Sequence, residues 1–121
     1  MNRIVHFEIP VDNPEKSIAF FEQLFGWKFS RFGDMEYWSI ETGAANEPGI
    51  NGGLMKKRDP HQPIVNTIQV ADIDAMAKKI EAAGGKIVVP KNPIPGVGWL
   101  AYFTDPEGNT HGLLQEDRNA H

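Results

Sequence analysis

The sequence predicts an α+β protein built from two consecutive copies of one unit, a strand, a helix and then three strands. A residue pattern recurs at a fixed interval of 59: Ile9 returns as Ile68, Val11 as Val70, Phe21 as Ile80, Glu22 as Glu81 and Gly26 as Gly85. A second stretch keeps that interval without a gap, with Gly49, Gly53, Leu54 and Met55 falling on Gly108, Gly112, Leu113 and Leu114. Within each copy the apolar period changes from two to about 3.6 and back again. One interval serving both ends of the unit marks a duplicated module. A chain of 121 residues is long enough for one core and too short for two independent ones, so a single domain over 1–121 is expected, with modules at about 3–57 and 64–116.

The elements follow in order. Val5, Phe7, Ile9 and Val11 alternate with His6, Glu8 and Pro10, which gives a strand that turns its imidazole and its carboxylate to the same side. Asp12 or Asn13 caps a helix that Pro14 opens, Ile18, Phe21, Leu24 and Phe25 stripe, and Gly26 ends after about three turns. In the second copy Asp72 caps, Ile73, Met76, Ala77 and Ile80 form the stripe, and Gly84-Gly85 stops the helix. Strands are predicted near 27 to 33, 36 to 42 and 50 to 57, and again near 86 to 90, 98 to 104 and 110 to 116. Lys57-Arg58-Asp59-Pro60-His61-Gln62-Pro63 has the composition of a connector, and Asp105-Pro106-Glu107-Gly108-Asn109 that of a tight turn. The proline-rich stretch 92 to 99 is read as a stiff loop, and the residues from Glu116 onward as a frayed tail.

Composition excludes several partners. The net charge is −4, and the one basic cluster is Lys56-Lys57-Arg58, so nucleic acid and anionic membranes find little to hold. No apolar run approaches the roughly 18 residues that span a bilayer, and no signal-like segment opens the chain, so a cytoplasmic protein is expected. Cysteine is absent, which leaves His, Asp, Glu and Gln as the only metal donors.

His6-Phe7-Glu8-Ile9-Pro10-Val11-Asp12, Leu24-Phe25-Gly26-Trp27, Ala82-Ala83-Gly84-Gly85-Lys86 and the Asp105 to Asn109 turn together resemble the vicinal oxygen chelate superfamily of glyoxalase I, bleomycin-resistance proteins and extradiol dioxygenases. The resemblance runs through nearly the whole chain and includes the duplication. It implies two βαβββ modules whose mixed sheet curls into a cup with helices outside, within a homodimer. It also implies metal ligands on the first and last strands of each module, which here are His6, Val65, Gly53 and Gly112. Valine and glycine side chains carry no lone pair, so no cofactor is expected, and a divalent metal held through His6 is the lesser alternative.

His6 and Glu8 on one strand face should line that cup. They are the candidate catalytic pair, with Glu8 poising the imidazole for proton abstraction beside a carbonyl. The plainer reading is that they satisfy buried hydrogen-bonding groups. Trp38, Met55, Trp99 and Tyr102 are candidate walls for a flat apolar ligand, and Thr67 and Gln69 are neutral hydrogen-bonding partners from the second module. Neighbours such as Tyr37 and Trp38 must face opposite ways, so about half of these aromatics can reach one surface. His111 shares parity with Leu113, away from Gly112, and ranks below His6. Two functions are expected to compete. One is a metal-free protein that binds a small flat apolar or amphipathic molecule, and the other a glyoxalase-like lyase or isomerase using His6 and Glu8.

Overall fold

A computed structural model describes residues 1–121, which form ten elements. They divide into two compact units, one of residues 6–64 and the other of 65–121 together with 1–5.

The first module runs β1 (Arg3–Val11), α1 (Pro14–Phe25), β2 (Lys28–Arg31), β3 (Tyr37–Glu41) and β4 (Asn51–Lys56). Of the two expected caps, Asn13 takes the role: its side chain accepts from the Lys16 N–H at 3.1 Å, while Asp12 pairs with Lys57 at 3.8 Å. Gly26 ends α1 in the left-handed region at φ 70°, and its N–H donates to the Glu22 carbonyl. The strands lie in the order β2-β3-β4-β1, with β1 and β4 parallel and the other pairs antiparallel. One face of this sheet meets α1 through Phe7, Phe21, Phe25 and Trp27, with the Phe21 and Trp27 rings stacked at 5.0 Å. Ile40 and Leu54 are buried on that face.

The second module repeats the plan with β5 (Val65–Gln69), α2 (Ile73–Ala82), β6 (Lys86–Ile94), β7 (Gly98–Thr104) and β8 (Thr110–Glu116). Asp72 caps α2 by accepting from the Ala75 N–H at 3.0 Å. The strands lie in the order β5-β8-β7-β6, again with a single parallel pair, β5 and β8. The registers repeat as well: Glu8 pairs with Gly53 in β1 and β4, and Thr67 with Gly112 in β5 and β8. Val70, Ile73, Ala101 and Leu113 form the core beneath α2, flanked by Ile68, Met76, Ile80, Trp99 and Phe103. The predicted turn at Asp105 is present. Its carboxylate accepts from the N–H groups of Glu107 and Asn109, both at 3.0 Å.

Two expectations are corrected. The stretch read as a loop from 92 continues β6 as far as Ile94, with Asn92, Pro93 and Ile94 opposite Leu100, Trp99 and Gly98. Only one side of an edge strand must supply ladder hydrogen bonds, so Pro93 is tolerated in register opposite Trp99, and Pro90 falls where the register shifts between Val89 and Asn92. The tail is docked and not frayed. The Asp117 N–H donates to Val97, the Gly96 N–H donates to Ala120, and Ala120 is 4 % exposed.

Candidate functional site

The first module has one face without a helix, and strand alternation fixes what it carries. Register places His6, Glu8 and Pro10 of β1 beside Asn51, Gly53 and Met55 of β4, and these beside Tyr37, Ser39 and Glu41 of β3. His6 Nε2 lies 3.1 Å from the Tyr37 hydroxyl. Gly53 is what admits that phenol: a Cβ at position 53 would overlap the Tyr37 hydroxyl. His6, Glu8, Tyr37 and Met55 are all half-buried here.

Electrostatics keeps the pair neutral. Burial pulls the His6 imidazole below its ordinary value of 6.5, against the opposing pull of the Glu8 carboxylate. Burial, with Glu8 adding to it, pushes the Tyr37 phenol far above its ordinary value. Near pH 7 the phenol is therefore protonated and the imidazole uncharged. The Tyr37 O–H donates to Nε2 when the imidazole proton rests on Nδ1, and the other tautomer reverses the bond.

His6, Glu8 and Met55, all expected to line one surface, share this face. Tyr37, and not the expected Trp38, stands on it. Trp38 points to the opposite face, opposite Arg31 in register and beneath its guanidinium at 5.2 Å. The missed residue had one usable signal, since a glycine at 53 in a buried strand leaves room that a large cross-strand neighbour must fill.

The second module's corresponding face carries Thr67, Gln69 and Tyr102. Thr67 is buried, Gln69 donates to Glu116 at 2.7 Å, and Tyr102 is paired with Gly112. Trp99 lies on the other face, in the core under α2. Its indole N–H donates to Asp117 at 3.0 Å, and Lys91, held by Asp74, stands 4.9 Å above the ring. His111 also faces that side, stacked on Phe103 at 5.1 Å with Nε2 at 2.9 Å from Asp105.

A sequence profile of the glyoxalase/bleomycin resistance protein/dioxygenase superfamily matches residues 3–112. The chain belongs to this superfamily. A protein of Mycobacterium tuberculosis carrying the name glyoxylase CFP32 is 31 % identical over 113 residues, which are 89 % of this chain and 42 % of that protein. The chain thus spans less than half of that relative's length. A protein of Vibrio cholerae serotype O1 named as a lactoylglutathione lyase is 28 % identical over 131 residues, covering 99 % of this chain and 94 % of that one. Among solved structures, a superfamily member from Vibrio splendidus 12B01 superposes with a TM-score of 0.67 at 16 % identity, over 94 % of this chain and 98 % of that chain. At that identity the likeness concerns the fold alone, the tandem βαβββ arrangement.

The superfamily's metal design can be tested against the residues in its four positions. His6 offers a nitrogen. Val65 is a buried hydrocarbon, a side chain at 53 would meet Tyr37, and a Cβ at 112 would stand 2.9 Å from the Thr67 hydroxyl oxygen. No three His, Cys, Asp or Glu side chains converge anywhere in the chain. These positions supply one donor where a divalent ion needs several, so they do not fit a metal of that design.

Proposed function

We propose that the chain binds a small flat apolar or amphipathic molecule on the His6 face of the first module and does so without a metal. The observation that carries this reading is the contact between His6 Nε2 and the Tyr37 hydroxyl, seated over Gly53. A nitrogen already partnered by a phenol is poorly placed to take a metal or a substrate proton, whereas the pair makes a neutral hydrogen-bonding edge beside Met55. Screening aromatic small molecules by isothermal titration calorimetry tests it. Binding that is weakened by His6→Ala, with no turnover of the bound molecule, supports a binding protein using this face. Stoichiometric Ni, Zn, Mn or Fe in the purified protein, lost on His6→Ala, overturns the metal-free reading.

A second reading, a lyase or isomerase acting on a small carbonyl compound, is favoured by one observation: the Glu8 charge opposes the burial effect on His6 and so favours an imidazole that can accept a proton. The name carried by the Vibrio cholerae relative points the same way. Turnover of a carbonyl substrate abolished by both His6→Ala and Glu8→Ala would select it.

A homodimer and a cytoplasmic setting belong to the proposal. For the dimer, α1 leaves Phe20, Leu24 and Phe25 more than half exposed, where the repeat-equivalent positions of the second module carry Lys79 in α2 and Ala83 and Gly84 just after it. Sedimentation equilibrium measures the assembly. For the setting, no helix is long and apolar enough to cross a membrane.

A further inference from the structure

The hairpin between β2 and β3 presents two large apolar side chains to solvent beside the His6 face. Phe32 is 59 % exposed and Met35 56 %. Lys28 and Ser30 lie opposite Glu41 and Ser39 in register, and the Phe32 N–H donates to the Tyr37 carbonyl at 2.9 Å, so the next side chain in that alternation, Phe32, falls beside Tyr37. The two rings meet edge to face at 6.4 Å and 80°. Met55 stands on the other side of Tyr37 in register. Phe32, Tyr37 and Met55 therefore make one row, and the Tyr37 hydroxyl at its centre reaches His6.

The tip is held and not loose. Gly33 takes φ 60°, the Met35 N–H donates to the Phe32 carbonyl at 3.2 Å, and the Arg31 side chain donates to the Asp34 and Met35 carbonyls at 3.3 and 3.0 Å. Single exposed apolar residues are ordinary, whereas a pair ordered at one tip has met its entropy cost before anything binds. The second module treats its corresponding tip differently. Between β6 and β7 the Gly96 N–H donates to the Ala120 carbonyl and the Val97 carbonyl accepts from the Asp117 N–H, so the chain's own tail is laid against that turn. Residues 32 to 35 are all exposed.

We propose that Phe32 sets the size of the molecule held on the His6 face: with a polar atom at the Tyr37 and His6 edge, an apolar ring beyond it lies against Phe32, so two-ring aromatic molecules are selected over one-ring ones. The inference rests on the reading of this face as a binding surface and adds the class of ligand it selects. Continuity favours this occupant over a second copy of the chain, because Phe32 touches Tyr37 itself, while the apolar stripe offered for the dimer lies on α1. A single ring bonded at the edge covers Tyr37 and stops. A fused second ring continues onto Phe32.

The test is a matched pair of uncharged probes, 2-naphthol and phenol, titrated into the protein while the His6 ring protons are followed by NMR. Either hydroxyl can donate to or accept from the Tyr37 and His6 edge. The wild type is expected to bind 2-naphthol at least about tenfold more tightly than phenol, the scale of one added aromatic contact. Phe32→Ala should bring the two within about threefold by weakening 2-naphthol alone, and Phe32→Tyr, which keeps a ring there, should restore the gap. A gap unchanged by Phe32→Ala overturns the proposal and leaves the face a binding surface, and a change in sedimentation without a change in the gap would assign Phe32 to a subunit contact instead. Equal weakening of both probes also overturns it, since that is what a general disturbance of Tyr37 would give. If neither probe moves the His6 resonances, the binding-face reading itself falls, and the size rule with it.

Discussion

The hydroxyl of Tyr37 occupies the space that a Cβ at position 53 would need, so Gly53 and Tyr37 are a steric pair joined across β3 and β4. Gly53→Ala should therefore displace the phenol and destabilise the fold, while the same change in a Tyr37→Ala background should cost much less. A double-mutant cycle by urea denaturation is expected to give a coupling of about 1–3 kcal/mol. Additive costs would show that the two positions are independent.

His6 gives a second expectation, in solution. Its folded value lies below 6.5 because of burial, so stability from this site is present above pH 6.5 and is lost as the pH falls through the folded value, when the unfolded chain takes up the proton more readily. Glu8 works against burial, so Glu8→Gln should lower the His6 midpoint further. NMR titration of the imidazole reads both results, and an upward move in Glu8→Gln would reverse the assignment.

The turn before β8 should carry its own acid sensitivity. Asp105 is held at about 2, below its ordinary 3.8, first by the hydrogen bond with His111 and then by the Asn109 N–H. The sign is that of a depressed carboxylate: its contribution is present above about pH 4 and disappears as the pH falls toward 2. Urea midpoints measured between those values should rise steeply with pH in the wild type and more gently in Asp105→Asn.

Leu54 and Leu113 occupy the same place in the two repeats and are 0 % and 1 % exposed. Truncating either to alanine should cost about 2–5 kcal/mol, the usual range for a buried leucine that leaves a cavity. Chemical denaturation decides it, and a cost below about 1 kcal/mol in either variant would mean that the site collapses around the gap.

Much of this was legible in the residues. The 59-residue interval returned both helices and the last strands nearly to the residue, because caps at Asn13 and Asp72 and stops at Gly26 and Gly84 are local signals. It also brought His6, Glu8 and Met55 to one face. Trp38 and Trp99 were harder, because which of two adjacent strand residues points to the helix depends on a register of Ser39 with Gly53, or of Trp99 with Gln115, that turn geometry fixes at a distance. The strand character of 92 to 94 was hidden for a different reason. Proline argues against a strand unless the strand is known to lie at an edge, and edge position is a property of the finished sheet.

Gly53 and Gly112 stand at one address in a duplicated plan, and what fills the space beside each differs: a phenol from the neighbouring strand in one copy, the hydroxyl of Thr67 in the other. The chain thus contains its own reference state. A substitution made at an address in one copy can be judged against the same address in the other, within one molecule and one solvent. Any ligand chemistry built on Tyr37 is then a departure that the second copy, with its threonine, has not made.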